Sequence, residues 1–179
     1  INKEPVRKLI SNVIFTQGIT TIKCDSAYFF NKKNVMEAYG NVIITDEDSL
    51  KITAKKLIYD GNKKNAVLSG NVIYTKKNNI LKTNNLIYDF VNKIGKFNSR
   101  GELTDQENIL SSDFGIFYSN ENYSVFNNNV ELVSPDYKLL SDTLEYNSNT
   151  KIAYTFGPTE IITKDSTIVN ANGGEFVTD

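Results

Sequence analysis

The side chains that most often carry out catalysis or bind metals are scarce in this sequence of 179 residues. It contains no His and a single Cys, Cys24. Without His, the Ser-His-Asp and Cys-His mechanisms and all His-based zinc sites are excluded, because no other side chain titrates near neutral pH in its ordinary state. A single Cys cannot build a thiolate metal cluster or an intramolecular disulfide.

Carboxylates remain as candidates for catalysis, because some polysaccharide-cleaving proteins use two of them about 5 to 9.5 Å apart. Here the acidic residues lie mostly in segments of turn composition, at Asp46, Asp60, Asp105, Asp136 and Asp165. The acidic segment at residues 46–48 lacks the Gly and the distal Glu of a calcium-binding loop. We therefore predict that the protein is not an enzyme and that it uses no cofactor or metal.

The charges are balanced and dispersed, with 20 Lys plus Arg against 21 Asp plus Glu and no basic run longer than two residues. Nucleic-acid-binding proteins carry a basic patch, so we expect no nucleic-acid partner. Four lysine pairs could bind the phosphates of an anionic ligand, although solvated turn charges are the more common role of such pairs. They are Lys32-Lys33, Lys55-Lys56, Lys63-Lys64 and Lys76-Lys77.

The composition favours β-structure. Val, Ile, Thr, Phe and Tyr total 66 residues, whereas the helix formers Ala, Met and Gln total 9. No stretch approaches the roughly 18 apolar residues of a spanning helix. The first residues, INKEPVRKLI, lack the apolar block of a signal peptide. The protein is therefore either cytoplasmic or has lost an address segment.

A repeat of about 29 residues runs through the chain. Each copy has an apolar residue, a small residue two positions later and an aromatic residue five positions after that, as in Ile52, Ala54 and Tyr59. Cys24 fills the small position of its repeat, which predicts a buried structural side chain. The apolar positions recur at intervals of 30, 29, 29, 29 and 30 residues: Ile22, Ile52, Leu81, Leu110, Leu139 and Val169.

Polar turn segments divide each repeat into two strands of roughly ten residues, and such short reversals force antiparallel pairing. Ala54 and Leu57 are three positions apart, so in a regular strand their side chains point to opposite faces. Both face inward only if the strand bends at Lys55-Lys56. Equivalent bends are expected at Asp25-Ser26 and Asn84-Asn85. We therefore predict an all-β fold, in which a repetitive antiparallel sheet folds over along its length into a solenoid-like trough with an apolar inside.

The repeat also predicts the organisation of the chain. We expect a single domain over residues 1–179, with a half repeat at 10–21, full repeats at 22–49, 50–79, 80–108, 109–137 and 138–166, and a half repeat at 167–179. Because the chain opens and closes with half repeats, we expect it to be a fragment of a longer protein.

The inward-facing positions form a candidate binding groove. Such positions in repeat proteins usually pack on one another, so the alternative is a closed core without a cavity. Tyr at several of them gives the ring a polar tip, which suits the mouth of a groove. The candidates are Ile22, Phe29, Met36, Ile52, Leu57, Tyr59, Leu81, Leu86, Tyr88, Leu110, Phe117, Leu139 and Tyr146.

The motif AKKLIYD at residues 54–60, followed by SGNV at residues 69–72, resembles the OstA-like family of lipopolysaccharide-transport proteins, which includes the periplasmic bridge protein LptA. The stretches at residues 24–28, 37–42 and 154–159 are similar to a longer OstA-like branch. The resemblance covers residues 10–179. It loosens at residues 98–102 and 157–159, where we expect a bulge or a widened rim.

The resemblance implies a folded-over β-jellyroll whose interior holds the acyl chains of lipopolysaccharide or of a lipid A-like glycolipid. It implies a non-enzymatic role in bridging the periplasm to the outer membrane, with other transport components of the same jellyroll as partners. A periplasmic location follows, with the signal peptide already removed and association with the outer membrane as a further expectation. The alternative is a structural or protein-binding β-scaffold of the cell envelope without a lipid ligand.

The two ends of a sheet of repeats expose unpaired backbone donors and acceptors. The N-terminal edge is predicted at residues 10–16, which carry no charge and no Pro, and residues 167–177 at the other end carry only one charge. We expect these edges to support head-to-tail self-association, unless residues beyond this chain cap them. The candidate edge residues are Val13, Ile14, Phe15, Ile168 and Phe176.

Overall fold

The computed structural model describes residues 6–46, 49–105 and 107–178, so part of the predicted acidic turn at 46–48 lies outside the described residues. The described residues form fourteen strands and no helix, which confirms the all-β prediction. In this part of the chain no helix is long and apolar enough to cross a membrane. The strands are β1 (Val6–Gln17), β2 (Thr20–Phe30), β3 (Val35–Thr45), β4 (Lys51–Asp60), β5 (Asn65–Lys76), β6 (Asn79–Asp89), β7 (Ile94–Phe97), β8 (Gly101–Asp105), β9 (Asn108–Ser112), β10 (Phe114–Tyr118), β11 (Tyr123–Val133), β12 (Tyr137–Asn147), β13 (Ile152–Thr163) and β14 (Ile168–Val177).

The chain forms two compact units. The first comprises Ile1–Lys77 and Lys82–Asn92, and the second comprises Asn78–Leu81 and Lys93–Asp179. In the first unit, β1 to β5 pair antiparallel, each with the next. In the second unit, β10 to β14 pair in the same way, β7 pairs with β10, and β9 pairs with β8 and β11. The predicted boundaries of a single domain of repeats stay a prediction.

The 29-residue register brings equivalent side chains into rows across the strands. In the first unit, Ile22 pairs with Ile44, Ile44 with Ile52, and Ile52 with Tyr74. Alternation along each strand then places the whole row on one face. The corresponding row of the second unit is Leu103, Leu110, Leu132, Leu139, Ile161 and Val169.

The strands of the first unit fold back near their middle, so that their halves form two facing layers. Phe15 on β1 pairs with Ile22 on β2, and Phe29 lies seven residues further along β2. A straight strand would separate Ile22 from Phe29 by about 23 Å, but the ring centroids of Phe15 and Phe29 are 5.7 Å apart. We call the strand halves around Phe29 and Tyr59 the first layer, and those around Phe15 and Ile22 the second layer.

The second unit folds over in the same way. Asn108, on β9, lies beside the Val133 end of β11, and Thr178, which follows β14 three strands away from β11, lies at the Tyr123 end. A straight β11 would hold these ends about 33 Å apart. Asn108 Nδ2 nevertheless donates a hydrogen bond of 3.0 Å to the Thr178 carbonyl oxygen. The predicted folded-over sheet is therefore present in both units.

The bend between the layers is built from pairs of adjacent residues with a left-handed backbone. Gly40-Asn41, Gly70-Asn71 and Asn128-Asn129 all have φ between 43° and 82°. Gly and Asn adopt this conformation at the lowest cost among the common residues. The strand register slips at these points, which confirms the bends predicted at Asp25-Ser26 and Lys55-Lys56.

Side chains on the strand opposite the bend bind the left-handed pair. Asn41 Nδ2 donates to Asp25 Oδ2 at 2.9 Å, and Asn129 Nδ2 donates to Asp113 Oδ2 at 2.6 Å. The two contacts are equivalent in the repeat, and each holds the bend by a charge-assisted hydrogen bond.

The third repeat lacks a Gly-Asn pair, and there the strands stop. β7 ends at Phe97 and β8 begins at Gly101. Arg100 lies in the segment between these strands, and its guanidinium group is 3.5 Å from an Asp113 oxygen and 3.6 Å from a Glu131 oxygen. At residues 98–102, where the sequence predicts a bulge or a widened rim, the structure therefore has a break between two strands, and Arg100 forms ion pairs there.

A repeating backbone hydrogen bond links the hairpin turns of the first-layer halves, and we call this edge of each unit the first rim. The fourth residue of each turn has a left-handed backbone, with φ of 53–58°. Its carbonyl oxygen accepts a bond of 2.8–3.0 Å from the residue that directly follows a neighbouring strand. The donor and acceptor pairs are Gly61 and Asn34, Phe90 and Lys64, Ser119 and Lys93, Ser148 and Asn122, and Thr178 and Lys151.

Replacing Gly70 by Ala should lower the free energy of unfolding by about 2–4 kcal/mol. The Ala would adopt an unfavourable left-handed backbone, and its Cβ would also clash with a neighbouring side chain. Gly70 has φ +82°, and the new Cβ would lie 2.9 Å from Lys55 Cβ. Lys55 Cβ is bonded directly to the backbone, so it cannot move away as the end of a flexible side chain could. Gly18→Ala is the matched control, since Gly18 has φ +60° and no atom within 4 Å of the new Cβ. It should cost about 1 kcal/mol. Urea unfolding measures both, and equal losses would show that the bend tolerates the extra atom.

Candidate functional site

The predicted groove residues lie on the inner faces of the layers. Phe29 and Phe117 are half-buried. The interior is closed to water at the other eleven positions, where the exposed fraction of the residue is 0–4%: Ile22, Met36, Ile52, Leu57, Tyr59, Leu81, Leu86, Tyr88, Leu110, Leu139 and Tyr146.

Three aromatic residues of the first-layer strands have a small residue as a cross-strand partner. Tyr59 pairs with Ala66 in the first unit, and Tyr146 pairs with Ala153 in the second. Phe117 pairs with Gly95, and its ring fills the space that a Cβ on Gly95 would occupy. Small partners thus let the rings pack on one face without crowding.

Six aromatic rings form a continuous chain where the two layers of the first unit meet, and we call them the aromatic mouth. Successive ring centroids lie 4.8–6.2 Å apart, within the range of favourable aromatic pairs. Phe15 and Tyr74 belong to the second layer, so the chain of rings closes the gap between the layers. In order of contact the rings are Phe29, Phe15, Tyr59, Phe90, Tyr88 and Tyr74.

The Tyr59 hydroxyl adds a hydrogen bond between the layers. It donates to Gln17 Oε1 at 3.2 Å. Burial raises the pKa of the Tyr59 phenol, and the nearby Asp46 and Asp60 carboxylates raise it further. The phenol therefore stays protonated well above neutral pH and keeps its ability to donate.

A buried amide joins the layers of the second unit. Asn108 and Thr178 are both buried, and the amide of Asn108 bonds to the Thr178 carbonyl oxygen. The Thr178 N–H and hydroxyl group both donate to the Lys151 carbonyl oxygen, at 2.8 and 3.1 Å. The end of β14 is thereby fixed both to the first rim and to β9.

The interior offers apolar contact and few polar groups. Apart from tyrosines, the buried polar side chains of the described residues are those of Ser, Thr and Asn, together with the Cys24 thiol. Cys24 pairs with Val13, and burial raises the pKa of its thiol, which lowers its reactivity. Within the described residues, no three His, Cys, Asp or Glu side chains are grouped so that they could hold a metal ion.

A model of the OstA-like protein family matches residues 1–142. The chain belongs to the OstA-like family. It is also similar to the crystal structure of LptH from Pseudomonas aeruginosa, described as the LptA homologous periplasmic component of a lipopolysaccharide transport device. That similarity has 11% identity, 94% coverage of each chain and a TM-score of 0.33. No match was found among curated proteins.

The OstA-like match begins before β1 and ends within β12. It therefore includes the whole aromatic mouth and the bends at residues 40–41, 70–71 and 128–129. The resemblance to this family that the sequence motifs indicate is confirmed.

Sequence reasoning missed three rings of the aromatic mouth of this OstA-like protein, those of Phe15, Tyr74 and Phe90, and also Gln17, which accepts the hydrogen bond of Tyr59. A signal existed for two of them. Phe15, Ile44 and Tyr74 are each the third residue of a second apolar run, at intervals of 29 and 30 residues. The sequence predicts Phe15 as an edge residue, but its ring also packs inward, against Phe29 and Tyr59.

Each predicted edge strand has a strand partner on one side only among the described residues, since β1 pairs with β2 and β14 with β13. β1 begins at Val6, so this edge also carries Arg7 and Lys8. Of the candidate edge residues, Ile14 is 63% exposed and Ile168 58%, Phe15 and Phe176 are half-buried, and Val13 is buried. Ile14 and Ile168 are thus the candidates that are most accessible to a partner.

Tyr59→Phe should lower the free energy of unfolding by about 1 kcal/mol, because the mouth loses a hydrogen bond and keeps its ring contacts. Tyr28→Phe is the matched control at an outward-facing tyrosine, and it should change stability by less than about 0.5 kcal/mol. Denaturant unfolding of both variants decides the matter. Indistinguishable stabilities would mean that the bond to Gln17 does not hold the layers together.

Proposed function

We propose that this OstA-like protein carries the acyl chains of lipopolysaccharide, or of a lipid A-like glycolipid, between the two layers of its folded sheet. It does so in the periplasm, without catalysing a reaction, as part of a bridge towards the outer membrane. The observation that carries the proposal is the apolar interior, which continues from strand to strand within each unit of a member of this family.

The fold supports reversible opening on one side. At the bend the layers are joined by the covalent chain, whereas at the mouth they are joined by side-chain contacts. An aromatic pair adds about 0.5–1.5 kcal/mol beyond its burial, and a hydrogen bond adds a similar amount. Each CH2 group of an entering acyl chain contributes about 0.8 kcal/mol when buried. A long acyl chain can therefore offset the loss of the mouth contacts.

A lipid-free scaffold of the cell envelope is the second candidate, and one observation favours it. Ile22, Ile52, Leu57 and Leu139 are 0% exposed, as expected for a core that packs only on itself. In a scaffold of this kind the mouth stays shut and its rings are structural. The two candidates differ in whether the interior accepts a lipid.

Titration with a fluorescent acyl probe separates the two candidates. The parent protein should bind the probe, and Leu110→Gln should weaken binding by about fivefold or more, because a polar amide in the interior costs roughly 1–3 kcal/mol. Ile109→Gln is the matched control, since Ile109 is the exposed neighbour of Leu110. Its affinity should equal that of the parent, and circular dichroism checks that both variants fold.

Tyr59→Phe gives a second measure that leaves the interior apolar. Because it loosens the mouth, it should speed uptake of the probe in stopped-flow mixing. A parent that binds no probe, or a folded Leu110→Gln variant that binds as well as the parent, would leave the scaffold as the better account.

We further propose that copies of the chain associate head to tail through the exposed edges of β1 and β14, or add to transport components of the same jellyroll. Each edge strand has one open side, and Ile14 and Ile168 are accessible there. Open strand edges are common sites of strand addition between chains.

Ile14→Lys should weaken self-association, because it places a charge on the open edge. Ile73→Lys is the control, an exposed isoleucine on β5, which has a partner on each side. Sedimentation velocity over a range of concentrations measures both. A parent that stays monomeric at millimolar concentration contradicts the proposed assembly.

A further inference from the structure

The two units differ strongly in charge, although the whole chain is nearly neutral. The first unit contains 14 Lys and Arg against 8 Asp and Glu, whereas the second contains 6 against 13. At neutral pH the first unit is therefore positive and the second negative. A local excess of positive charge raises the concentration of anionic ligands near the surface that carries it.

Part of this excess lies on two neighbouring turns of the first rim. Lys32 and Lys33 lie in the turn between β2 and β3, and Lys63 and Lys64 lie in the turn between β4 and β5. All four are exposed, and we call them the lysine rim. The corresponding turns of the second unit, residues 119–122 and 148–151, carry one charge each, of opposite sign.

Hydrogen bonds hold these two turns against each other. The Gly61 N–H donates to the Asn34 carbonyl oxygen at 2.8 Å, and Asn62 Nδ2 donates to the Lys33 carbonyl oxygen at 3.1 Å. Asn34 Nδ2 also donates to Asn62 Oδ1 at 3.1 Å. The turns are about two strand spacings apart, or roughly 10 Å. Their lysine side chains can therefore approach one multivalent ligand together.

The lysine rim directly adjoins the aromatic mouth. Tyr59 lies two residues before the turn at 61–64, and Phe29 lies three residues before Lys32. Lys63 Nζ lies 3.9 Å from Asp60 Oδ2, and an exposed pair of this kind holds a lysine only weakly. An amphiphile whose acyl chains enter at the mouth would place its head group on these turns.

We propose that the lysine rim binds the phosphate groups of an amphiphile with two phosphates on its head group, and that this ligand is taken up by the first unit. The inference rests on the proposed function, because it uses the mouth as the entry for acyl chains. Lysine ammonium groups bind phosphate by charge-assisted hydrogen bonds. Two lysine pairs on fixed turns match two phosphates, whereas an uncharged head group would gain nothing from them.

The test compares two charge-matched variants of the full chain. The rim variant has Lys32, Lys33, Lys63 and Lys64 replaced by Gln. The control variant has Gln at four exposed lysines on strands of the same unit, namely Lys8, Lys23, Lys55 and Lys82. Affinities are measured at low salt for a diphosphorylated lipid A-type glycolipid, for its dephosphorylated form and for a neutral fluorescent acyl probe.

The rim variant should bind the diphosphorylated glycolipid at least about tenfold more weakly than the parent, and the control variant within about threefold of it. Both should bind the dephosphorylated form and the neutral probe as the parent does. Inorganic phosphate at millimolar concentration should not displace the glycolipid, because it lacks the acyl chains.

Three results would overturn the lysine rim. They are an unchanged affinity of the rim variant, an equal loss in both variants, and displacement of the glycolipid by millimolar inorganic phosphate. A parent that binds the neutral probe in any of these cases leaves the proposed function intact. A parent that binds the diphosphorylated glycolipid through the rim lysines but not the neutral probe supports the rim and removes the acyl-binding interior. A parent that binds none of the ligands overturns both.

Discussion

Each strand of this fold has an apolar face that must leave water, and it is buried against the folded-back half of the same sheet. In β3, β5 and β11 two consecutive residues at the bend adopt a left-handed backbone, a conformation that costs most side chains about 1–2 kcal/mol per residue. Gly-Asn and Asn-Asn supply it with little strain. In β13 the register shift falls at Gly157, which is left-handed without a left-handed neighbour. The facing layers and the mouth depend on the bends. In the third repeat, where the pair is absent, the strand breaks between β7 and β8 at Arg100, whereas β13 continues past Gly157.

The layers are held together in different ways at the bend and at the mouth. At the bend the layers are halves of the same strands, so they cannot separate there. Ring contacts and single hydrogen bonds join them on the other side, and such contacts exchange more readily for contacts with a ligand. The first unit closes with aromatic rings and the second with the amide of Asn108.

Much of the fold could be predicted from the sequence, because parity and repeat spacing are local properties of the chain. These properties predict the strands and the inward-facing residues. They also predict the bends at Asp25-Ser26 and Lys55-Lys56. The mouth could not be predicted in full. Its contacts join residues on different layers, such as Tyr59 and Gln17, 42 positions apart, and depend on how tightly the layers close. The ion pairs of Arg100 likewise depend on side chains from separate strands.

The repeating hydrogen bonds along the first rim join the turns through the main chain alone. Each bond uses only a main-chain N–H and a main-chain carbonyl group, and its acceptor residue is Asn in two turns and Lys in three. Asn34 and Asn62 add side-chain hydrogen bonds between two of the turns. The side chains at the other turn positions take no part in these backbone bonds, so different residues can occupy those positions while the backbone bonds remain. One repeat can carry a basic turn and another a neutral or acidic one on an identical frame. The side chains of the first rim can therefore differ from turn to turn, and suit different ligands, while the strands keep their positions.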